Sequence, residues 1–389
     1  MQPALKLAVV ALVAVLSCSM DRFTVAQQDK TLDQRQQQLN ANKDDDEGNA
    51  NNVPALFVFG DSIVDTGNNN HLFTLARANY RPYGIDFVDG IPTGRFADGL
   101  LPVDYLAILL GLPLVPPYLD GGDDILHGVC FASAGSGVLE NTGHSYGQHI
   151  PLSAQIDNFV EVKQRLYSLL GEDAASVLVS KSLYLIVIGS NDFFDNYIPT
   201  HSIISISYPN DTSEVFPPYF EEQLLSQMIQ QLQRLYDLGA RKIITVGVPA
   251  LGCVPYMLNR NQGQCASLLN DAVQRYNSAL KQNIMSMRTS LQDAHLVYAN
   301  SFDLAQRILA NFTAYGFKDN QTACCGWGAY GGALPCTPVI SNVCTNASEN
   351  VFWDYVHPCS TAYHIVVRQL WNGPQDVIDP VNLQQLRLI

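Results

Sequence analysis

Residues 55–70 read Ala55-Leu-Phe-Val-Phe-Gly60-Asp61-Ser62-Ile-Val-Asp65-Thr-Gly-Asn-Asn-Asn70. A short apolar run breaks at Gly60, and a polar turn rich in Gly and Asn follows Asp61-Ser62. Five apolar residues bounded by such a turn read as a buried strand that delivers a serine to its carboxyl end. In open α/β sheets, ligands bind outside the carboxyl ends of the strands, so a small nucleophile at this boundary is well placed for chemistry. The competing reading is local: Asp61 and Ser62 cap the helix that follows.

Three further segments bear on that choice. Gly128-Val-Cys130-Phe-Ala-Ser-Ala134-Gly135-Ser-Gly137, Gly189-Ser-Asn191-Asp192 and Asp354-Tyr-Val-His357 each bring a polar, chemically useful residue to a strand end or near the C-terminus. A serine hydroxyl is a weak nucleophile at neutral pH and needs a base in hydrogen-bond reach, itself held by a partner. Asp354 and His357, three residues apart, share one side of a helical turn or tight loop. The carboxylate can therefore hold one ring nitrogen while the other faces Ser62. In isolation an Asp-x-x-His pair also reads as a surface ion pair.

Together, the four ordered blocks resemble the GDSL esterase/lipase branch of the SGNH hydrolase superfamily in its plant-type form, over about residues 56–370. The resemblance implies a three-layer α/β/α fold, flavodoxin-like, with a parallel central sheet. It implies a serine esterase or lipase acting on acyl or acetyl esters, with Ser62 as nucleophile, His357 as base and Asp354 as its orienting partner. It also implies an oxyanion hole made by the Ser62 N–H, a backbone N–H of the second block and the Asn191 side-chain amide. The second block departs from the common pattern: many members carry Asn-Phe-Ala-Ser-Gly-Gly where this chain has Cys130-Phe-Ala-Ser-Ala134-Gly135. We assign the donor to Gly135. Ala134 is the alternative, because the group required is a main-chain N–H.

Strand-like apolar runs recur at 56–59, 129–131, 183–188, 243–248 and 295–299, separated by helical spacing over 101–110, 156–170, 219–238 and 267–289. Strands alternating with helices predict a parallel sheet covered on both faces. No linker divides the chain after Val53, so one domain is expected over 53–389. The tail 371–389, broken by Pro374 and Pro380, is expected to be irregular and outside the core.

The chain has 389 residues, 47% of them hydrophobic and 15% charged, with a net charge of −14. That balance argues against a nucleic-acid or anionic-membrane partner, whose binding needs clustered Lys and Arg. Lys6 followed by the apolar run 7–16 and small residues at Ser17, Ser19 and Ala26 reads as a signal peptide over 1–26, too short to span a bilayer. Residues 27–52 are polar enough to form a disordered spacer. The expected location is therefore secreted. Eight of the nine cysteines follow that segment, an even number suited to an oxidising compartment. Cys253 and Cys265 are natural partners across a loop, and Cys324, Cys325, Cys336 and Cys344 form a local cluster. Disulfides and zinc compete for the cluster, and the lack of Cys-x-x-Cys pairs favours disulfides. Cys130 and Cys359 both fall in the chemical blocks and are expected to bridge them. Sequons stand at Asn210, Asn311, Asn320 and Asn346.

Gly143-His-Ser145-Tyr-Gly147 matches the nucleophile-elbow pattern, but no strand precedes it and no helix follows, so it reads as a polar loop. Asp61, Asp65 and Asp192 read as organisers of turns. No His-Glu-x-x-His and no phosphate loop is present, so no metal and no cofactor is expected. Two rivals to an esterase use the same residues differently: an extracellular acyltransferase, and a silent wall or defence-related binding protein that kept the fold.

Overall fold

A computed structural model describes residues 53–389 except 123, 198–215, 217, 218 and 340. The signal peptide, the polar spacer and the sequon at Asn210 lie outside the described residues. Nine strands are described: β1 (Leu56–Gly60), β2 (Leu183–Val187), β3 (Lys242–Val246), β4 (His295–Ala299), β5 (Asp319–Ala323), β6 (Cys325–Gly326), β7 (Asn342–Val343), β8 (Asn350–Phe352) and β9 (Ile378–Asp379). The helices are α1 (Pro102–Leu110), α2 (Leu152–Leu170), α3 (Glu172–Lys181), α4 (Ser190–Tyr197), α5 (Phe220–Asp237), α6 (Pro255–Arg260), α7 (Ser267–Ser290), α8 (Ser301–Ala310), α9 (Ser360–Asn372) and α10 (Leu383–Leu386).

The main sheet runs in the order β1-β2-β3-β4-β9, parallel through β4 and antiparallel at β9. Residues 129–131, expected as a strand, lie on the free side of β1. Val58 N–H donates to Val129 O at 3.0 Å, and Phe131 N–H donates to Val58 O at 2.7 Å. Only an isolated parallel bridge, Val58 to Cys130, has full strand geometry there. With this segment counted as the second strand, the spatial order is 2-1-3-4-5, the flavodoxin-like doubly wound arrangement. Parallel crossovers are right-handed, so reversing direction at β1 places α1 on one face and α2, α5 and α7 on the other. The packing agrees: α5 lies between α2 and α7, while α9 packs on α1 and on α10. The expected three-layer α/β/α architecture is the one observed.

The central strands read as near-continuous apolar runs because both their faces are covered. Phe57, Phe59, Phe131, Phe159 and Tyr184 form an aromatic cluster beside β1, with centroids 5.0–6.0 Å apart. Gly60 ends β1 because nothing larger fits: a Cβ there would lie 2.3 Å from the Val187 carbonyl oxygen. The turn carrying Asp61-Ser62 is thereby pressed against the end of β2, and Asp61 N–H donates to Val187 O at 3.1 Å.

Two expectations are corrected. The tail is not irregular: β9 pairs with β4 through Ala299–Ile378 and Tyr298–Asp379, and Leu383 and Leu386 are fully buried. Two prolines shorten these elements without excluding them: Ile378, between them, covers a sheet edge, and Leu383 and Leu386, beyond Pro380, belong to a helix packed on α9. Cys130 and Cys359 do not bridge. Both are free and buried, and they belong to separate apolar clusters, Cys130 beside β1 and Cys359 with Trp353, Tyr83 and Phe96. The other six described cysteines pair as Cys253–Cys265, Cys324–Cys344 and Cys325–Cys336, so the four thiolates zinc would need are consumed in S–S bonds.

Candidate active site

Ser62 stands in the turn after β1, two residues beyond Gly60, at the point where the strand order reverses, where α/β sheets open a crevice. His357, 295 residues later, brings its Nε2 to 2.8 Å from Ser62 Oγ. The opposite ring nitrogen, Nδ1, lies 2.9 Å and 2.8 Å from Asp354 Oδ1 and Oδ2. An ionised carboxylate only accepts, so Nδ1 carries the hydrogen and the unprotonated Nε2 accepts from the serine hydroxyl.

Asp354 and His357 sit in a tight loop after β8, not on a helix. Trp353 N–H donates to His357 O at 2.8 Å, and the backbone N–H groups of Val356 and His357 donate to Asp354 Oδ1 at 3.0 Å and 2.8 Å. Tyr83 O–H donates to Asp354 Oδ2 at 2.7 Å. Asp354 is fully buried, and burial alone would raise its carboxyl. The His357 charge, with the hydrogen bonds from His357, Tyr83 and Val356, outweighs it and holds the group below the ordinary carboxylate range. The loop is buttressed from behind: Cys325 N–H donates to Trp353 O at 2.6 Å, and Cys325 is fixed to Cys336.

The second block faces Ser62 from the other side of β1. Ala134 N–H is spent on Asp65 Oδ2 and Asn69 Oδ1, both at 3.1 Å. Among the described residues, neither Gly135 N–H nor Ser62 N–H has a protein acceptor. Gly135 has φ +82°, a conformation that suits glycine, and lines the cleft beside Ser62. Asn191 lies in the first turn of α4 and not in a strand. One of its two amide hydrogens goes to Ser136 O at 2.9 Å, which fixes the side chain at the cleft wall and leaves the second hydrogen uncommitted.

The buried carboxylates serve turns. Asp65 accepts from the N–H groups of Gly67 and Asn68 at 2.8 Å and 2.7 Å, and Asp192 from those of Val138 and Leu139 at 2.9 Å and 3.0 Å. Burial pushes each up to about 6 despite those donors. Asp61 is pushed up to about 7 by burial; only its Oδ1 finds a donor, Ile63 N–H, and Oδ2 has no protein partner among the described residues. Gly143–Gly147 is a polar loop with Ser145 exposed at the cleft rim.

Sequence reasoning missed Tyr83 and the Asn68–Asn69 clamp. Asn68 Nδ2 donates to Cys130 O and Ala132 O at 2.8 Å, tying the first block to the second. The run of three asparagines was a visible signal for the clamp. Tyr83, in an Arg-Pro-Tyr-Gly turn, carried none.

Such a constellation can take a proton from a hydroxyl while that oxygen attacks an electrophilic carbonyl, and two unoccupied N–H groups beside it can receive the resulting negative charge. The GDSL-like lipase/acylhydrolase family model matches residues 56–370. From Arabidopsis thaliana, the GDSL esterase/lipase At4g16230 is 40% identical over 343 residues, covering 86% of this chain and 91% of that protein. GDSL esterase/lipase 7 from the same plant is 41% identical over 345 residues, covering 86% and 92%. A solved catalytic mutant of Axe2, an acetylxylan esterase from Geobacillus stearothermophilus, aligns at 13% identity over 81% of this chain and 91% of that one, with a TM-score of 0.35, too remote a likeness to bear weight. The chain belongs to the GDSL-like lipase/acylhydrolase family and is a carboxylic ester hydrolase.

Proposed function

We propose that the protein hydrolyses acyl or acetyl esters through a Ser62-His357-Asp354 triad and an acyl-enzyme. The observation that carries this reading is the 2.8 Å contact between Ser62 Oγ and His357 Nε2, with Nδ1 of the same ring on Asp354. Ser62 Oγ attacks the ester carbonyl as its proton passes to His357 Nε2. The tetrahedral intermediate collapses, the ester C–O bond breaks, and His357 returns the proton to the leaving alcohol. Water then attacks the acyl carbon, giving its proton to His357, and the acid leaves as the proton returns to Ser62. Asp354 keeps the ring in the reactive tautomer and offsets its positive charge. The Ser62 and Gly135 N–H groups and the Asn191 amide hold the oxyanion, and Ala134 is discounted because its N–H is already spent.

The protein acts as a secreted hydrolase domain over 53–389 preceded by a signal peptide over 1–26 and a polar spacer over 27–52. Three disulfides and sequons at Asn311, Asn320 and Asn346 suit an oxidising, glycosylating compartment. Intact-mass analysis after fluorophosphonate treatment tests the chemistry. One adduct on Ser62, absent from Ser62→Ala, is expected; a folded protein that takes no adduct overturns the triad.

A further inference from the structure

The cleft does not stop at Ser62. Its cavity, about 1320 Å³ in all, passes the carboxyl ends of β2 and β3 and continues into the layer between the sheet and α1, α8, α9 and α10. Val187, last in β2, stays half-buried there although a strand flanks it on each side. Ala305 and Leu309 form a one-turn stripe of α8, Ala362 and Val366 form a one-turn stripe of α9, and the buried Leu383 of α10 also lines the cavity. None of the residues that these three helices give to the wall carries a charge.

Protein layers pack to the density of organic crystals, and an apolar void costs stability in proportion to its volume. Here alanines stand at two positions where a leucine would take up space, and the space has been kept. A sugar placed there would leave its hydroxyls without partners, whereas a hydrocarbon chain loses nothing by leaving water. The chemistry distinguishes the two halves of an ester. The alcohol departs before water attacks, while the acyl group stays bonded to Ser62 Oγ. A chamber lined by the buried Leu383 suits the half that stays, and the side lined by Glu140, Asn141, Thr142 and Ser145 suits the half that leaves.

We propose that this inner layer is an acyl-chain chamber and that the substrates are esters of long-chain fatty acids, not of acetate. This rests on the assignment of Ser62 as the nucleophile. The C-terminal tail is part of the chamber, because Leu383 of α10 lines it.

The test compares kcat/KM on p-nitrophenyl esters from acetate to palmitate, held below their aggregation limits, with a series of alkyl acetates of lengthening alcohol. With wild-type protein the acyl series rises steeply, by up to about fourfold per methylene, and the alcohol series stays nearly flat. In Ala305→Phe and Ala362→Phe the laurate-to-butyrate ratio of kcat/KM falls at least about tenfold, the loss expected when two or more methylenes are excluded. A profile highest at acetate, a rise with alcohol length in place of acyl length, or an unchanged ratio in both variants overturns the proposal. The wild-type profile decides even if a variant fails to fold. Fluorophosphonate labelling separates the two readings: labelled Ser62 with a flat acyl profile removes the chamber alone, and an unlabelled folded protein removes the nucleophile.

Discussion

Tyr83 and Asp354, 271 residues apart in the chain, are joined by a buried 2.7 Å hydrogen bond from the phenol to the carboxylate that holds His357. Burial and the Asp354 charge push the Tyr83 phenol far above its ordinary range, so it remains a donor at every pH of interest. Tyr83→Phe removes one of the interactions that keep the Asp354 carboxyl low. Its pKa then rises, and the acid limb of the activity profile moves to higher pH. A hydrogen bond to a charged group is worth about 1.5–3 kcal/mol, so kcat falls about 10- to 100-fold with little change in KM. Superimposable pH–rate profiles for variant and wild type would contradict this.

Asn191→Ala removes a donor without touching Ser62 or His357. A single oxyanion donor is worth about 100- to 1000-fold in kcat. Fluorophosphonate labelling should persist at a reduced rate, because the serine and its base remain. Steady-state kinetics on a soluble ester check it, and a loss expressed only in KM would move Asn191 from the transition state to substrate binding.

Asp61 makes stability depend on pH. Burial raises its carboxyl to about 7, with Asp192 adding to the effect and the Ile63 N–H and His357 opposing it. Unfolded, the group titrates near 4, so between about 4 and 7 the native state binds the extra proton. The contribution is fully present below the unfolded value and is lost as pH rises through the folded one. The difference corresponds to on the order of a few kcal/mol. The melting temperature of the wild type therefore falls between pH 5 and pH 8, and that of Asp61→Asn falls less. Parallel melting curves across that range would remove Asp61 as the cause.

Paired replacement of Cys325 and Cys336 by alanine tests the support behind the histidine loop. Closing a loop this short is worth about 3 kcal/mol. Because Cys325 N–H holds Trp353 O, next to Asp354, turnover per folded molecule should also fall. Active-site titration with thermal melts separates the two losses. A lower melting temperature with full turnover would make the disulfide a staple only.

What the sequence determined is local. The apolar run 55–59 ending at Gly60 marks a strand and the turn after it, since a short apolar run bounded by Gly, Asp and Asn reads as a buried strand and its turn. The same reading located the strands around 183–188, 243–248 and 295–299 and the long helices between them, because periodicity and chain reversals are written into neighbouring residues. The spacing of Asp354 and His357 likewise fixed their mutual contact.

Tertiary structure decided the rest. It brought His357 to Ser62 and Tyr83 to Asp354, contacts set by how strands order in a sheet, for which no short stretch of chain carries a code. It spent the Ala134 N–H on Asp65 and Asn69 and left the Gly135 N–H without a protein acceptor among the described residues. It left Cys130 and Cys359 unpaired in separate clusters, though both belong to blocks that meet at the site. It also drew the tail into the core: Leu383 and Leu386 look unremarkable beyond Pro380, and only the face of α9 gave them somewhere to be buried, while β9 covers the edge of β4. Burial and hydrogen-bond satisfaction are properties of the packed chain as a whole, and they settled what local pattern left open.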